Sequence, residues 1–178
     1  MATTAGDTAG SAASLRPVAS GGVASGGVAK QVLLVSSSGG VLLDLLALQP
    51  WWGRHEIEWV AVAAADTSDA LRSYSVTWSD ELSARRPLVL ARALLEALRR
   101  LALNRPDVVV SGGSGIAVPY FVAARILSVP SVWVETFNVL GRPGLASRVC
   151  GSLATTVVVQ HPELLERHRR AVYVGELL

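Results

Sequence analysis

Two turns of small residues stand directly behind short apolar runs: Ser36-Ser37-Ser38-Gly39-Gly40 behind Gln31 to Val35, and Ser111-Gly112-Gly113-Ser114-Gly115 behind Val108-Val109-Val110. Glycine lets backbone N–H groups approach a ligand closely, and a helix beginning just after such a turn favours negative charge, for example a diphosphate. Each turn also has a plainer reading, as a tight connection with no ligand at all. Neither fits G-x-G-x-x-G or G-x-x-x-x-G-K-[ST], which speaks against dinucleotide and nucleoside-triphosphate binding. Glu135 follows the apolar run Ser131 to Val134 and opens Glu135-Thr136-Phe137-Asn138. Its carboxylate is expected to emerge at the strand's end, there to accept a proton, to hold sugar hydroxyls, or simply to cap a neighbouring loop or helix. Asp66 closes another apolar run and allows the same readings.

Other side chains exclude more than they suggest. His55, His161 and His168 are scattered, and none follows a strand in a position facing these turns, so surface or loop roles are expected and no Ser-His-Asp or Cys-His arrangement is assigned. Cys150 is the single cysteine and has no internal disulfide partner; no His or Cys pair has metal-ligand spacing. No metal site and no cofactor are expected, and a reducing cytoplasm fits. Trp51 and Trp52 end a segment rich in leucine (Leu42, Leu43, Leu45, Leu46); core packing explains the leucines, while adjacent tryptophans before Gly53-Arg54 suit contact with lipid headgroups. Arg85 and Arg86 precede a helix bearing Arg92, Arg99, Arg100 and Arg105, and Arg167, Arg169 and Arg170 cluster near the end. These are either solvated helix faces or contacts to anionic lipid or diphosphate. A formal net charge of +2 gives no ground for a nucleic-acid partner.

The elements that must position these residues are legible in order. With 178 residues and 51% hydrophobic side chains, the chain can bury one sizeable core and is too short for two full α/β domains. Residues 1–29 are almost wholly Ala, Gly, Ser and Thr, with little bulky surface to offset the entropy of ordering them, and are expected to be a disordered tail. They lack the pattern of a secretory signal, and no later stretch has the roughly 20 apolar residues that span a bilayer. From residue 30 onward, strands and helices alternate. Strand Gln31 to Val35 is followed by a helix Val41 to Leu48 that Pro50 ends, and strand Glu56 to Ala64 by a loop Thr67 to Pro87 holding a short strand near Tyr74 to Trp78. A leucine-periodic helix Leu88 to Leu103 precedes strand Val108 to Val110 and a helix Ile116 to Leu127. Strand Ser131 to Val134, helix Leu145 to Leu153, strand Thr155 to Val159, helix Pro162 to Arg169 and strand Ala171 to Val174 complete the chain. Continuous apolar strands alternating with helices predict an α/β, Rossmann-like parallel sheet, whose ligands sit at the carboxyl ends of the strands.

Several segments in fixed order carry a resemblance: Ser37-Ser38-Gly39-Gly40; Arg105-Pro106-Asp107-Val108-Val109-Val110 with Gly113-Ser114-Gly115 and Pro119; Val134-Glu135-Thr136-Phe137; and Val159-Gln160-His161-Pro162-Glu163-Leu164 with Tyr173-Val174-Gly175. Over residues 31–178 the chain resembles the acceptor-binding subunit of the split UDP-N-acetylglucosamine transferase of asparagine-linked glycosylation, and more closely the bacterial PssD-like and CpsF-like subunits of polysaccharide synthesis. The resemblance implies an inverting, metal-independent glycosyltransferase of GT-B architecture cut into two chains, with residues 30–178 as its N-terminal, acceptor-binding, Rossmann-like half. It implies a polyprenyl-diphosphate-linked sugar acceptor, a separate donor-binding subunit, and a cytoplasmic position on the inner face of the plasma membrane. Carried onto this sequence, Ser38, Gly39, Gly40, Gly113, Ser114, Gly115, Arg85 and Arg86 would hold acceptor or diphosphate, and Glu135 would be the catalytic base or a sugar contact. Trp51 and Trp52 would touch the membrane, and Tyr173, Gly175, Leu177 and Leu178 would dock the partner. The family's first turn usually continues Gly-Gly-His; here Val41 follows Gly39-Gly40, and valine can neither accept a proton nor bind diphosphate. Either Glu135 and backbone amides suffice, or the chain is a non-catalytic membrane adaptor that activates its partner.

Overall fold

The structure is a computed structural model that describes residues 28–82, 86–135, 144–168 and 170–174. The tail expected over residues 1–29 lies outside the described residues, apart from Val28 and Ala29.

Seven strands form one wholly parallel sheet: β1 (Gln31–Ser36), β2 (Glu56–Val62), β3 (Ser75–Ser79), β4 (Val108–Ser111), β5 (Ser131–Glu135), β6 (Thr156–Val159) and β7 (Ala171–Tyr173), in the order β3-β2-β1-β4-β5-β6-β7. Leu34 of β1 pairs with Trp59 of β2 on one side and Val110 of β4 on the other, so both glycine-rich turns leave the sheet from adjacent central strands. The chain winds outward from β1 to β3, then returns to start again at β4. That reversal makes the gap between the carboxyl ends of β1 and β4 the topological switch point, where parallel sheets of this kind hold ligands.

Side chains alternate along the strands to fill two layers. Leu33, Val35, Val60, Val109 and Trp133 pack on one face with Ala97 and Leu101 of α4 (Pro87–Asn104), Phe121 of α5 (Ala117–Leu127) and Cys150 of α6 (Leu145–Leu153). Val32, Leu34, Trp59, Ala61 and Val110 pack on the other with Leu42 and Leu45 of α1 (Gly40–Ala47) and Trp52 of α2 (Gln49–Trp52). Each large side chain so buried contributes roughly 1.5–3 kcal/mol. α4 keeps the leucine periodicity of the sequence, with Pro87 in its first turn; it ends where Arg105 takes the left-handed conformation (φ 40°) ahead of Pro106.

Three sequence expectations need correction. The helix expected over Val41 to Leu48 ends at Ala47, but Pro50 is then in the first turn of a second short helix, α2, where a missing N–H costs nothing. β2 stops at Val62, and Asp66 lies in the first turn of a six-residue helix, α3 (Ala65–Ala70), which runs into the segment expected to be loop from Thr67 onward. The helix expected over Pro162 to Arg169 is a 3-10 helix, Pro162–Arg167.

Candidate functional site at the carboxyl edge of the sheet

At the switch point the two turns touch. Gly39 takes a positive φ of 72° and begins α1, its carbonyl accepting hydrogen bonds from the Leu42 and Leu43 amides at 3.1 and 3.2 Å. Ser38 is half-buried, whereas Gly39 and Gly40 are exposed. A Cβ on Gly113 would lie 2.8 Å from Val41 Cγ2, so the Val41 side chain is wedged against the second turn. In that second turn the buried Ser111 hydroxyl donates to the Gly113 carbonyl at 3.0 Å. Ser114 has φ 93°, a conformation that side chains rarely adopt and that functional sites concentrate. A Cβ on Gly115 would lie 2.6 Å from the Leu82 carbonyl oxygen, so the connection from β3 to α4 passes directly over this turn. Arg86 is exposed at the start of α4, just beyond that crossing; Arg85 lies outside the described residues.

Asp66 joins the site from the third side. Its Oδ2 accepts the Gly39 N–H at 3.2 Å, and Thr67 Oγ1 lies 3.4 Å from Oδ1. The first turn thus already carries a carboxylate, which repels an anion; the second turn does not. The turns are therefore unlike in charge.

Glu135 does not emerge at the edge as expected. It is the last residue of β5, 1% exposed, and its carboxylate is closed in by the His168 ring, with Nε2 2.5 Å from Oε2, and by the Ser147 hydroxyl, 3.4 Å from Oε1. Gly151 on α6 makes room for this pair, because a Cβ there would come within 2.8 Å of His168 Cε1. The histidines are expected in surface or loop roles; His168, in the segment after the 3-10 helix, reaches back 33 residues to the end of β5. This carboxylate fastens β5 to α6 and to the segment after the 3-10 helix, and with none of its side-chain surface exposed it presents no open face to a ligand. The rest of the segment it opens, Thr136, Phe137 and Asn138, lies outside the described residues.

The remaining candidates fall in different places. Trp52 is core, 1% exposed, with its indole N–H donating to the Leu45 carbonyl at 2.7 Å and its ring edge-on to Trp59 and Tyr74; it is not a membrane contact. Trp51 is half-buried against His55. Tyr173 is 44% exposed on β7, the outermost strand, while Gly175, Leu177 and Leu178 lie outside the described residues. Sequence reasoning missed Asp44, the one ionisable side chain between Val41 and Leu48, whose Oδ2 is buried and has no hydrogen-bond partner among the described residues. Its isolation among leucines was the available signal. Among the described residues there is no group of His, Cys, Asp and Glu able to hold a metal ion, and no helix is long and apolar enough to cross a membrane.

No protein-family model matches the chain. Over 73 residues, 41% of its length, it is 40% identical to a UDP-N-acetylglucosamine--N-acetylmuramyl-(pentapeptide) pyrophosphoryl-undecaprenol N-acetylglucosamine transferase from Symbiobacterium thermophilum, and the match spans 19% of that protein. Among solved structures, Acinetobacter baumannii MurG superposes with a TM-score of 0.67 at 19% identity, over 82% of this chain and 45% of that one. A UDP-GlcNAc 2-epimerase from Methanocaldococcus jannaschii superposes with a TM-score of 0.62 at 14% identity, over 82% of this chain and 45% of that one. The chain is therefore homologous, over part of its length, to a glycosyltransferase, and it spans less than half of the solved relatives. Its fold is the Rossmann-like parallel sheet of the N-terminal half of a GT-B enzyme, as the sequence leads one to expect.

Proposed function

We propose that this chain is the acceptor-binding half of a two-chain GT-B glycosyltransferase. The enzyme moves a sugar from a UDP-sugar, UDP-N-acetylglucosamine ranking first, onto a polyprenyl-diphosphate-linked sugar acceptor. The observation that carries this reading is the meeting of both glycine turns at the switch point of a sheet whose sequence relative is a transferase acting on an undecaprenol-linked substrate. In this reading the acceptor diphosphate lies along Gly113, Ser114 and Gly115 with Arg86 beside it, away from the Asp66 carboxylate. The acceptor sugar lies over Ser38, Gly39 and Gly40. Glu135 holds the end of β5 in place. A second polypeptide supplies the donor-binding half and docks along the edge strand at Tyr173 and the residues after it.

The chain works on the inner face of the plasma membrane. With Trp52 in the core, the better membrane-facing surface is the cleft of about 590 Å³ lined by Trp78, Leu88, Val89 and Arg92, in which Leu88 is 85% and Trp78 45% exposed. Asp80 and Glu96 line the same cleft and Glu96 pairs with Arg92 at 3.5 Å, so it is the exposed apolar side chains, and not net charge, that suit a lipid surface.

Co-expression with a donor-binding partner, purification from membranes and assay of sugar transfer to a polyprenyl-diphosphate-linked acceptor test this reading. Activity only in the pair supports it. Equal activity of the partner alone leaves this chain as an adaptor, the role that Val41 in place of histidine favours, and absence of binding overturns the two-chain arrangement.

A further inference from the structure

We propose that Asp66 is the proton acceptor for the attacking hydroxyl of the acceptor sugar, an assignment that rests on the function proposed above. Val41 cannot take a proton, and Glu135 is enclosed by His168 and Ser147. Asp44 has one carboxylate oxygen sealed beneath α1. Asp80 and Glu81 follow β3, the outermost strand on that side and two strands away from β1. Asp107 and Glu56 lie at the opposite, amino end of the strands, where the Gln31 amide donates to Asp107 and the Gln31 side chain meets Glu56. Among the carboxylates of the described residues, Asp66 combines an exposed position with direct contact to a switch-point turn, through the Gly39 N–H at 3.2 Å.

The contact to Gly39 fixes the carboxylate, and the geometry leaves it able to act. A carboxylate has about four lone-pair sites, and the Gly39 amide and Thr67 hydroxyl account for two. Its charge keeps the acceptor diphosphate on the second turn, so the sugar end of the same molecule is the part that meets Asp66. In the transfer, the acceptor hydroxyl oxygen forms a bond to the anomeric carbon of the nucleotide sugar as the bond from that carbon to the diphosphate breaks. The electron pair leaves with the nucleoside diphosphate, and the hydroxyl proton passes to an Asp66 oxygen.

The test compares wild type, Asp66→Asn, Asp66→Glu and Asp80→Asn in the reconstituted pair. An asparagine side-chain oxygen still accepts the Gly39 N–H, so a residue that merely holds the turn would rank Asp and Asn together and above Glu. A proton acceptor ranks Asp first, Glu next and Asn far below. The expected result is a fall in kcat of about 10²- to 10⁴-fold for Asp66→Asn, with KM for the acceptor changed much less, loss of the acidic limb of the pH–rate profile, and Asp80→Asn near wild type. Wild-type-like kcat in Asp66→Asn, or Asn outranking Glu, overturns the assignment while leaving the proposed function intact; no transfer by the wild-type pair overturns both. Should Asp66→Asn fail to fold, Asp66→Glu decides: an altered pH–rate profile with unchanged acceptor KM supports the assignment, and an unchanged profile refutes it.

Discussion

His168→Ala leaves the Glu135 carboxylate, none of whose side-chain surface is exposed, without its partner at 2.5 Å and, among the described residues, with the Ser147 hydroxyl at 3.4 Å. Breaking a buried pair from one side typically costs about 3–5 kcal/mol, because the group left behind is neither solvated nor paired. A domain of this size is stable by about 5–15 kcal/mol, so the loss is a large fraction of the total. At roughly 2–4 °C per kcal/mol for a chain of this length, the midpoint of thermal unfolding falls by about 6–20 °C. Replacing both residues by leucine removes the buried charge together with its partner, and most of the stability returns. Gly151→Ala reaches the same pair from behind: the new methyl meets His168 Cε1 at 2.8 Å and pushes the ring from the carboxylate. Although alanine is the better helix former by roughly 1 kcal/mol, the displaced ring outweighs that gain. Urea unfolding followed by fluorescence of the buried Trp52, Trp59 and Trp133 gives each free energy, and the double-mutant cycle gives the coupling. A His168→Ala variant within about 0.5 kcal/mol of wild type would refute the reasoning, since Glu135 would then have found water or another partner.

Further outcomes follow from the same geometry. Gly115→Ala costs about 1–3 kcal/mol and more than Gly113→Ala, because its methyl meets the Leu82 backbone oxygen at 2.6 Å whereas that of Gly113 meets a valine side chain that can rotate; chemical denaturation of the two variants checks the order. Burial pushes the Cys150 thiol from its ordinary 9.0 up to about 12, so the folded chain resists alkylation at pH 8 and reacts fully in urea. The sign for stability follows: as pH rises from about 9 toward about 12 the unfolded thiol ionises while the folded one stays neutral, and stability contributed below that window is lost; Cys150→Ala flattens this slope. Arg100 bridges α4 to Glu58 and donates to Thr77 Oγ1 at 2.6 Å, so Arg100→Met loosens the β2–β3 edge by about 1 kcal/mol, read as faster amide exchange in β3.

How much of this could be read in the sequence depended on the range of the interaction. β1, β4, β5 and β6 are short runs of apolar residues that only a doubly covered parallel sheet can bury, and the leucines of α4 repeat at helical spacing. Those signals are local, and the fold follows from them. The helix α3 is six residues with one buried side chain, Thr67, too short for any periodicity to show. Pro50 reads equally well as a helix stop and as the first turn of the next helix, and neighbours decided between them. The site was half legible. Glycine turns behind strands announce themselves, as does a carboxylate at a strand's end. Whether that carboxylate faces a ligand or a histidine 33 residues away depends on how α6 and the 3-10 helix fold over β5, and on Gly151 leaving space for the ring. Trp52 shows the same limit: beside Trp51 it looks like a membrane anchor, yet Trp59 and Tyr74 from β2 and the loop before β3 enclose it.

The most direct measurement is equilibrium binding to this chain of a short-chain lipid-diphosphate-linked sugar, with a UDP-sugar as competitor and Gly115→Ala as the altered turn. An acceptor site at the switch point gives saturable binding of the lipid-linked sugar that an excess of UDP-sugar fails to displace and that the turn variant weakens. Binding of the UDP-sugar in place of the lipid-linked sugar, or no difference between wild type and variant, would contradict the claim that the switch point of this sheet is an acceptor site.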